Sequence, residues 1–467
     1  MAAPGLVTAA AASGAGKTLV TLGLIGAFVR QGMRVAPFKV GPDYIDPAFL
    51  AAAAGRPCVN LDGWAMRAAT LDGLIAGLGR DGDLIVGEGV MGLFDGGPDG
   101  AGSTADLAAR TGWPVVLIVD AKGMGASAAA LVAGFACHRP DVTVAGVVFN
   151  RVGGARHAAL LAEACRGLDG IAVLGAVPSD SGLALPSRHL GLVQAAEHPA
   201  LDDVVARAAD LVARHVDLAG LRALARPARP GRAARPEGPA DAPGAPPRFA
   251  PPRFVPPRFV PPQFVPPLGQ RIALAADTAF AFAYPAQIAA WRAAGVEIAT
   301  FSPLADEAPA NDADAVVLPG GYPELDAGRL AANGTFLAGL RRAAASAVVY
   351  GECGGYMVLG QALIDAAGAP HAMAGLLPVV TSFAERRLHL GYRTAVVAAD
   401  GPFGPPGTVY RGHEFHYATA TEAHGAPLFH ASDAAGRGRG PAGAVAGRVC
   451  GSFLHLVDLH VADRGTW

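Results

Sequence analysis

Along the first half of the chain, short apolar runs rich in β-branched residues alternate with longer Ala/Leu-rich runs. The short ones, Gly5–Ala10, Val35–Lys39, Leu84–Gly87, Val115–Asp120, Val144–Asn150 and Ala172–Ala176, read as strands, and the runs between them as helices. Strands that are apolar throughout are buried on both faces, so the alternation predicts a parallel sheet with helices packed on both sides. From Pro227 to about Pro267 the periodicity stops, and alanine, proline and arginine take over. It restarts with Arg271–Ala275, Glu297–Phe301, Ala315–Leu318 and Ala347–Tyr350 as strands and Pro285–Ala294 as a helix. The predicted fold class is therefore α/β twice over: one unit spans 1–226, a linker 227–270, and a second α/β unit 271–467.

The end of the linker is a five-residue repeat: Arg248-Phe-Ala-Pro-Pro, Arg253-Phe-Val-Pro-Pro, Arg258-Phe-Val-Pro-Pro and Gln263-Phe-Val-Pro-Pro. Such proline spacing favours extended polyproline backbone, which makes the segment a semi-rigid spacer. A chain of 467 residues is long enough for two such units, each with its own core. With 52% apolar and 16% charged residues and a net charge of -2, it lacks the basic excess of a nucleic-acid binder, and net charge names no partner. No apolar stretch reaches membrane-spanning length. The apolar start, Met1 to Ala12, has no basic residue before it, so it does not read as a signal peptide. Five scattered cysteines form no metal-type pair and no disulfide framework, and a cytoplasmic location is expected.

Ser13-Gly-Ala-Gly-Lys-Thr18 follows the first predicted strand and precedes a helical run from Leu19, which is the setting of a phosphate loop. Ser13, Gly14 and Gly16 let backbone N–H groups wrap phosphates, Lys17 meets the terminal phosphates of ATP, and Thr18 supplies a ligand for Mg²⁺. Alanine, at Ala10 or Ala11, stands where such loops usually open with glycine. Two acidic loops follow at strand ends, Phe38-Lys-Val-Gly-Pro-Asp-Tyr-Ile-Asp-Pro47 and Gly87-Glu-Gly-Val-Met-Gly-Leu-Phe-Asp-Gly96. Ligands of open α/β sheets sit beyond the strand C-termini, so Asp43, Asp46, Glu88 and Asp95 are expected around Mg²⁺, phosphate and substrate.

In the second unit, Gly351-Glu-Cys-Gly-Gly355 turns from a strand into a helix that starts around Tyr356, the pattern of a nucleophile elbow. Cys353 is the candidate nucleophile, with the helix N-terminus expected to favour its thiolate. The backbone N–H of Gly354 and one from Gly320 or Gly321, in the turn Leu318-Pro-Gly-Gly-Tyr-Pro-Glu324, are the candidate oxyanion donors. Cys137 and Cys165 read as small buried apolar residues in helices. The base for Cys353 is one of His389, His413, His416, His424, His430, His455 and His460, among which spacing does not choose.

The loops Phe38–Pro47 and Glu88–Gly96, with Gly102-Ser-Thr-Ala-Asp-Leu107 and Leu185-Pro-Ser-Arg-His-Leu-Gly-Leu192, resemble the signatures of cobyrinate and hydrogenobyrinate a,c-diamide synthases. The Pro-Gly-Gly-Tyr turn, the elbow, Arg411-Gly-His-Glu-Phe-His416 and Gly451-Ser-Phe-Leu-His455 resemble cobyric-acid-type class I glutamine amidotransferases. The resemblance implies a dethiobiotin-synthetase-like phosphate-loop domain followed by a flavodoxin-like amidotransferase domain. It implies that His455 is the base, that Asn150 helps recognise adenine, and that Asp43 and Glu88 lie at Mg²⁺ with Tyr44, Asp46 and Asp95 at the substrate carboxylate. Typical class I members carry Glu two residues after this histidine; here Val457 stands there, and Asp458 is near only in sequence. The implied partners are a corrinoid macrocycle, glutamine and ATP, with no nucleic acid or membrane, and a homodimer is the assembly considered. The implied reaction is amidation of the a and c acetate carboxylates through an acyl phosphate. The other readings are amidation of a different tetrapyrrole, as in nickel sirohydrochlorin a,c-diamide or cobyric acid synthesis, and a regulatory phosphate-loop ATPase.

Overall fold

The computed structural model describes residues 2–97, 100–183, 187–188, 191–229 and 264–460. The repeat copies ahead of Phe264, and half of the Leu185–Leu192 motif, lie outside the described residues. The first unit contains β1 (Pro4–Ala10), β2 (Val35–Val40), β3 (Val59–Leu61), β4 (Leu84–Glu88), β5 (Val115–Asp120), β6 (Val144–Val152) and β7 (Ala172–Pro178). They pair in parallel in the order β3-β2-β4-β1-β5-β6-β7, and Arg226–Pro227 adds an antiparallel segment to β1. The sequence pattern lacked β3, a three-residue edge strand too short to show a period. Neighbouring residues of a strand face opposite sides: Leu6, Val86 and Ile118 enter one core, and Val7, Ile85 and Leu117 enter the other.

Helix α1 (Lys17–Arg30) leaves the C-terminal end of β1, α2 (Asp46–Ala54) follows the β2 loop, and α3 (Ala68–Asp81) follows β3. β1 lies between β4 and β5, so the strand order reverses at its C-terminal end and opens a crevice there.

The second unit has a sheet ordered Glu297–Phe301, Arg271–Ala275, Ala315–Leu318, Val348–Glu352, Val449–Ser452 and Ala444–Ala446. The first five strands are parallel, and the sheet has the 2-1-3-4-5 order of flavodoxin-like folds. Periodicity did not reveal a five-stranded antiparallel sheet, Gly438–Ala442, Phe429–Asp433, His389–Val397, Val409–His416 and His455–Leu459. This sheet brings the histidine-rich strands against the first unit. Phe264 and Val265, from the last repeat copy, dock between the units, with Phe264 buried in the first unit's core and Val265 in the second's. Among the described residues, no helix is long and apolar enough to cross a membrane.

Candidate active site

The phosphate-loop side is built from the ends of β1, β2 and β4. Gly16 has φ 86°, and a side chain there would collide with Asn150, so only glycine lets the loop close over that residue. Asn150 Nδ2 donates to the Ala15 carbonyl at 2.9 Å, and Arg151 donates to the Gly14 carbonyl, so the end of β6 props up the loop. Asn150 thus supports the loop backbone in addition to any part in adenine recognition. Ser13 lies exposed at the loop's outer turn.

Lys17 is buried, and its Nζ donates to the Met91 carbonyl at 2.6 Å, tying α1 to the β4 loop. Burial pulls its pKa below the ordinary lysine value, against the opposing pull of Glu88. Thr18 Oγ1 donates to Glu88 Oε1 at 2.8 Å and lies 3.4 Å from Asp46 Oδ2. Lys39, which no sequence motif singled out, sits at the centre of this group. Its Nζ is 2.5 Å from Asp46, 3.0 Å from Glu88 and 3.4 Å from Asp43, with its side chain 3% exposed. A lysine inside the otherwise apolar β2 is the signal that would have found it. The three carboxylates outweigh burial and hold the ammonium charged, well above its usual range. Burial raises Glu88 to about 7 and Asp43 to about 6, whereas the Lys39 contact holds Asp46 below its usual value.

Asp43 Oδ1 accepts from the N–H groups of Ile45 and Asp46, so one of its oxygens shapes the start of α2. Asp95 Oδ2 accepts from Gly92 N at 2.8 Å and holds the β4 loop. Hard oxygen donors of this kind suit Mg²⁺. Thr18 and Glu88 fit it best, because Glu88 Oε2 is buried and has no hydrogen-bond partner among the described residues.

The elbow forms as its spacing predicts. Cys353 has φ 46°, a left-handed conformation costly for a residue with a Cβ, and its N–H donates to the Ser452 carbonyl at 2.8 Å. The helix Gly354–Leu359 begins immediately after it. Gly320 packs between Cys353 and His455; a Cβ there would collide with the imidazole and lie 3.3 Å from Cys353 Cβ. The Gly321 amide nitrogen would lie 3.1 Å from a Cβ at Gly354, which puts the two glycine turns face to face. The expectation of a thiolate favoured by the helix N-terminus needs correction. Burial, with Glu324 next in weight, pushes the thiol well up, and the Gly354 N–H only partly offsets this. Cys353 therefore rests as a neutral thiol and needs a base. Cys165 is buried as expected, but Cys137 is exposed at its helix end.

His455 is the histidine placed beside the elbow. Its ring is fully buried, stacked on His413 at 4.9 Å and 10°, and it faces Tyr44 at 5.2 Å. Tyr284 and His413 Nε2 are hydrogen-bonded at 3.0 Å. His416 is buried against Phe453 and His389, and burial lowers it to about 3. Asp458 is turned away from His455. It accepts from the Arg67 N–H at 2.8 Å, from Arg67 Nη2 at 2.7 Å and from Thr70 Oγ1 at 2.7 Å. A bulge lies between them: pairing steps from Gly412↔Leu456 to Arg411↔Asp458, leaving Val457 unpaired and buried in the core, and Asp458 is taken up by the first unit. Among the described residues a carboxylate faces the ring from Glu352, whose Oε2 lies 3.8 Å from His455 Nδ1.

Tyr44 links the two halves. It projects from between Asp43 and Asp46 and packs on Phe282, Tyr284, His413 and His455, with ring centroids 4.5 to 5.7 Å apart. The resemblance had given Tyr44 only to the substrate carboxylate; its ring lies against the proposed base.

Residues 6–193 match the CobQ/CobB/MinD/ParA nucleotide binding domain, and residues 271–461 match the CobB/CobQ-like glutamine amidotransferase domain. Hydrogenobyrinate a,c-diamide synthase from Rhodobacter capsulatus is 52% identical over 97% of this chain and 98% of its own length. Those from Brucella anthropi and Rhizobium meliloti are 50% and 48% identical over 97% of this chain. The chain belongs to the hydrogenobyrinate a,c-diamide synthase family. Like the rest of that family it is an amidating ligase, with its nucleotide-binding part first and its glutamine amidotransferase part second.

Proposed function

We propose that the chain converts hydrogenobyrinate to its a,c-diamide, with glutamine as nitrogen source and ATP as the activating co-substrate. The observation that carries this is Tyr44, which joins the acidic phosphate-side loop to the ring of His455 and so couples two chemistries in one molecule. The names of relatives that align over nearly the full length support the choice of macrocycle.

A carboxylate is a poor electrophile for ammonia, so the first task is to activate it. The phosphate loop and Lys17 hold the ATP phosphates, and the loop stays in shape through Asn150. Thr18 and Glu88 would hold Mg²⁺, with Asp43 and Asp46 beside them; the ion supplies charge neutralisation on the phosphates. Lys39 lies where it can pair with the transferring phosphoryl group and with the negative charge that develops there. The substrate carboxylate attacks the terminal phosphate, giving an acyl phosphate and ADP.

In the second unit, Cys353 Sγ attacks the glutamine side-chain carbonyl as His455 takes the thiol proton. The tetrahedral oxyanion lies between the N–H groups of Gly354 and the Gly320–Gly321 turn. Collapse breaks the C–N bond, His455 returns the proton to the leaving ammonia, and water then hydrolyses the thioester. Ammonia displaces phosphate from the acyl phosphate to form the amide, and a second cycle amidates the other acetate.

Mass spectrometry of the product made with amide-¹⁵N glutamine tests the reading. Cys353→Ala should lose glutamine-supported amidation by about 10³-fold or more while ammonia still supports it. Lys17→Ala should lose both, because no acyl phosphate forms. A Cys353→Ala enzyme of normal rate with glutamine refutes the glutaminase assignment, and the absence of two amide conversions on hydrogenobyrinate refutes the substrate.

A further inference from the structure

We propose that Glu352 is the positioning residue of His455, the carboxylate that fixes the imidazole and steadies its charge during glutamine hydrolysis. This rests on the reading of Cys353 and His455 as nucleophile and base. The His455 side chain is 1% exposed, and neither ring nitrogen has a hydrogen-bond partner among the described residues. A buried polar group left unpaired is costly, so an unpaired imidazole beside a nucleophile marks a contact made during turnover.

Four carboxylates lie close enough in sequence or space to be considered: Glu324 acts on the Cys353 thiol, and two others are held by partners of their own. Asp458 is consumed by Arg67 and Thr70 across the junction. Glu414 is held by Arg393 at 2.6 Å in a largely buried ion pair. Glu352 is oriented but not consumed: its Oε1 accepts from the Tyr350 hydroxyl at 2.9 Å and from Leu456 N at 3.3 Å, leaving Oε2 to face the ring.

Topology explains the meeting. Glu352 pairs in register with Ser452, and the chain leaving Ser452 delivers His455 three residues later. The carboxylate thus arrives from the residue before the nucleophile, where other class I enzymes send it from two residues after the histidine. Val457 at that place is a bulge residue whose apolar side chain is buried. The separation of 3.8 Å exceeds a charge-assisted N–H···O contact by roughly 1 Å, and such contacts are often long before substrate binds. The ring can close it by tilting within its stack of His413 and Tyr44.

With Nδ1–H directed at Glu352, Nε2 is left free to accept the proton from Cys353 Sγ. That proton leaves with ammonia as the Sγ–C bond forms and the C–N bond breaks. Glu352 remains ionised throughout, as the carboxylate of a serine-protease triad does. The groups around the ring are Glu352, His413, Tyr44, Cys353 across Gly320 and, through His413, Tyr284; Glu324 acts on Cys353 and Arg393 on His413.

The test measures ammonia released from glutamine by the full chain against pH, for Glu352→Gln and Glu352→Asp. The Gln variant should lose about 10- to 100-fold in kcat with KM for glutamine within about 2-fold. The acidic limb of its kcat/KM should move to lower pH, because a carboxylate beside an imidazole favours the protonated ring. A structural role would not move that limb. The Asp variant, shorter but charged, should fall less and keep the limb near its wild-type place. A Gln variant with wild-type kcat and pH profile overturns the proposal. Should the Gln variant not fold, an Asp variant of wild-type kcat overturns it, and one with lowered kcat at unchanged KM supports it. If Cys353→Ala itself releases ammonia normally, the glutaminase reading has failed, and the fault does not lie with Glu352.

Discussion

His416 Nδ1 lies 2.9 Å from the Ala418 carbonyl, and a carbonyl can only accept, so Nδ1 carries the proton of a neutral ring. Burial, with His389 next to it, holds the ring near 3, far below the ordinary histidine range. A depressed folded-state pKa means stability that is present above the unfolded value of about 6.5 and is lost as pH falls towards 3. Over the first unit and a half of that window the loss is about 2 kcal/mol. His416→Phe keeps the stack on Phe453 but drops the bond to Ala418, a cost of about 1 kcal/mol. Thermal unfolding should therefore find the variant less stable than wild type at about pH 7.5 and more stable at about pH 5. A constant difference at both pH values would show that His416 does not titrate on unfolding. At this scale Lys17, Thr18 and Cys353 were legible because each sits in a local pattern whose backbone geometry dictates it. Lys39 shows in the sequence only as a lysine inside an apolar strand, and its role depends on Asp46 and Glu88 converging from two other chain segments.

The loop between β2 and α2 shows what one element can carry. Asn60 Nδ2, from β3, donates to the Gly41 and Asp43 carbonyls at 3.0 and 2.7 Å, and Asp43 accepts from two N–H groups at the start of α2. The loop is thus fixed at both ends, with Asp43 and Asp46 near Lys39 and Tyr44 against His455. Its acidic residues were readable from their place beyond a strand end. The reach of Tyr44 was not, because the antiparallel sheet carrying His413 and His455 left no clear period in the sequence. Tyr44 packs on the proposed base and stands in the acidic phosphate-side loop, which makes it the side chain placed to couple the two half-reactions. Tyr44→Ala should raise glutamine consumed per amide formed several-fold, measured by ammonia release and product mass in one assay. A ratio unchanged from wild type would remove Tyr44 from the coupling.

At the scale of the whole molecule, polar and aromatic contacts hold the two units together around the candidate site. Trp64 stacks on Tyr392 at 4.5 Å, the Arg411 guanidinium lies 4.7 Å over the Trp64 ring, and Tyr392 donates to Asp62 at 3.2 Å. The two-unit plan was legible because the proline-rich stretch interrupts two runs of α/β pattern. How the units face each other was not, since Asp62, Trp64 and Arg67 lie more than 300 positions from the residues they meet. Asp458 is the most buried of these contacts, at 0% exposure, and it sits on the strand that begins with His455. Removing one partner of a buried ion pair leaves the other's charge unmatched and typically costs about 3–5 kcal/mol. Arg67 is 25% exposed and can turn to water, so Asp458→Ala should cost less than that range, about 2–3 kcal/mol, read as a lowered melting temperature. Because the same strand positions His455, the loss should fall more heavily on glutamine-supported than on ammonia-supported amidation. Equal losses with both nitrogen sources would mean that Asp458 serves the assembly of the units and not the setting of the base.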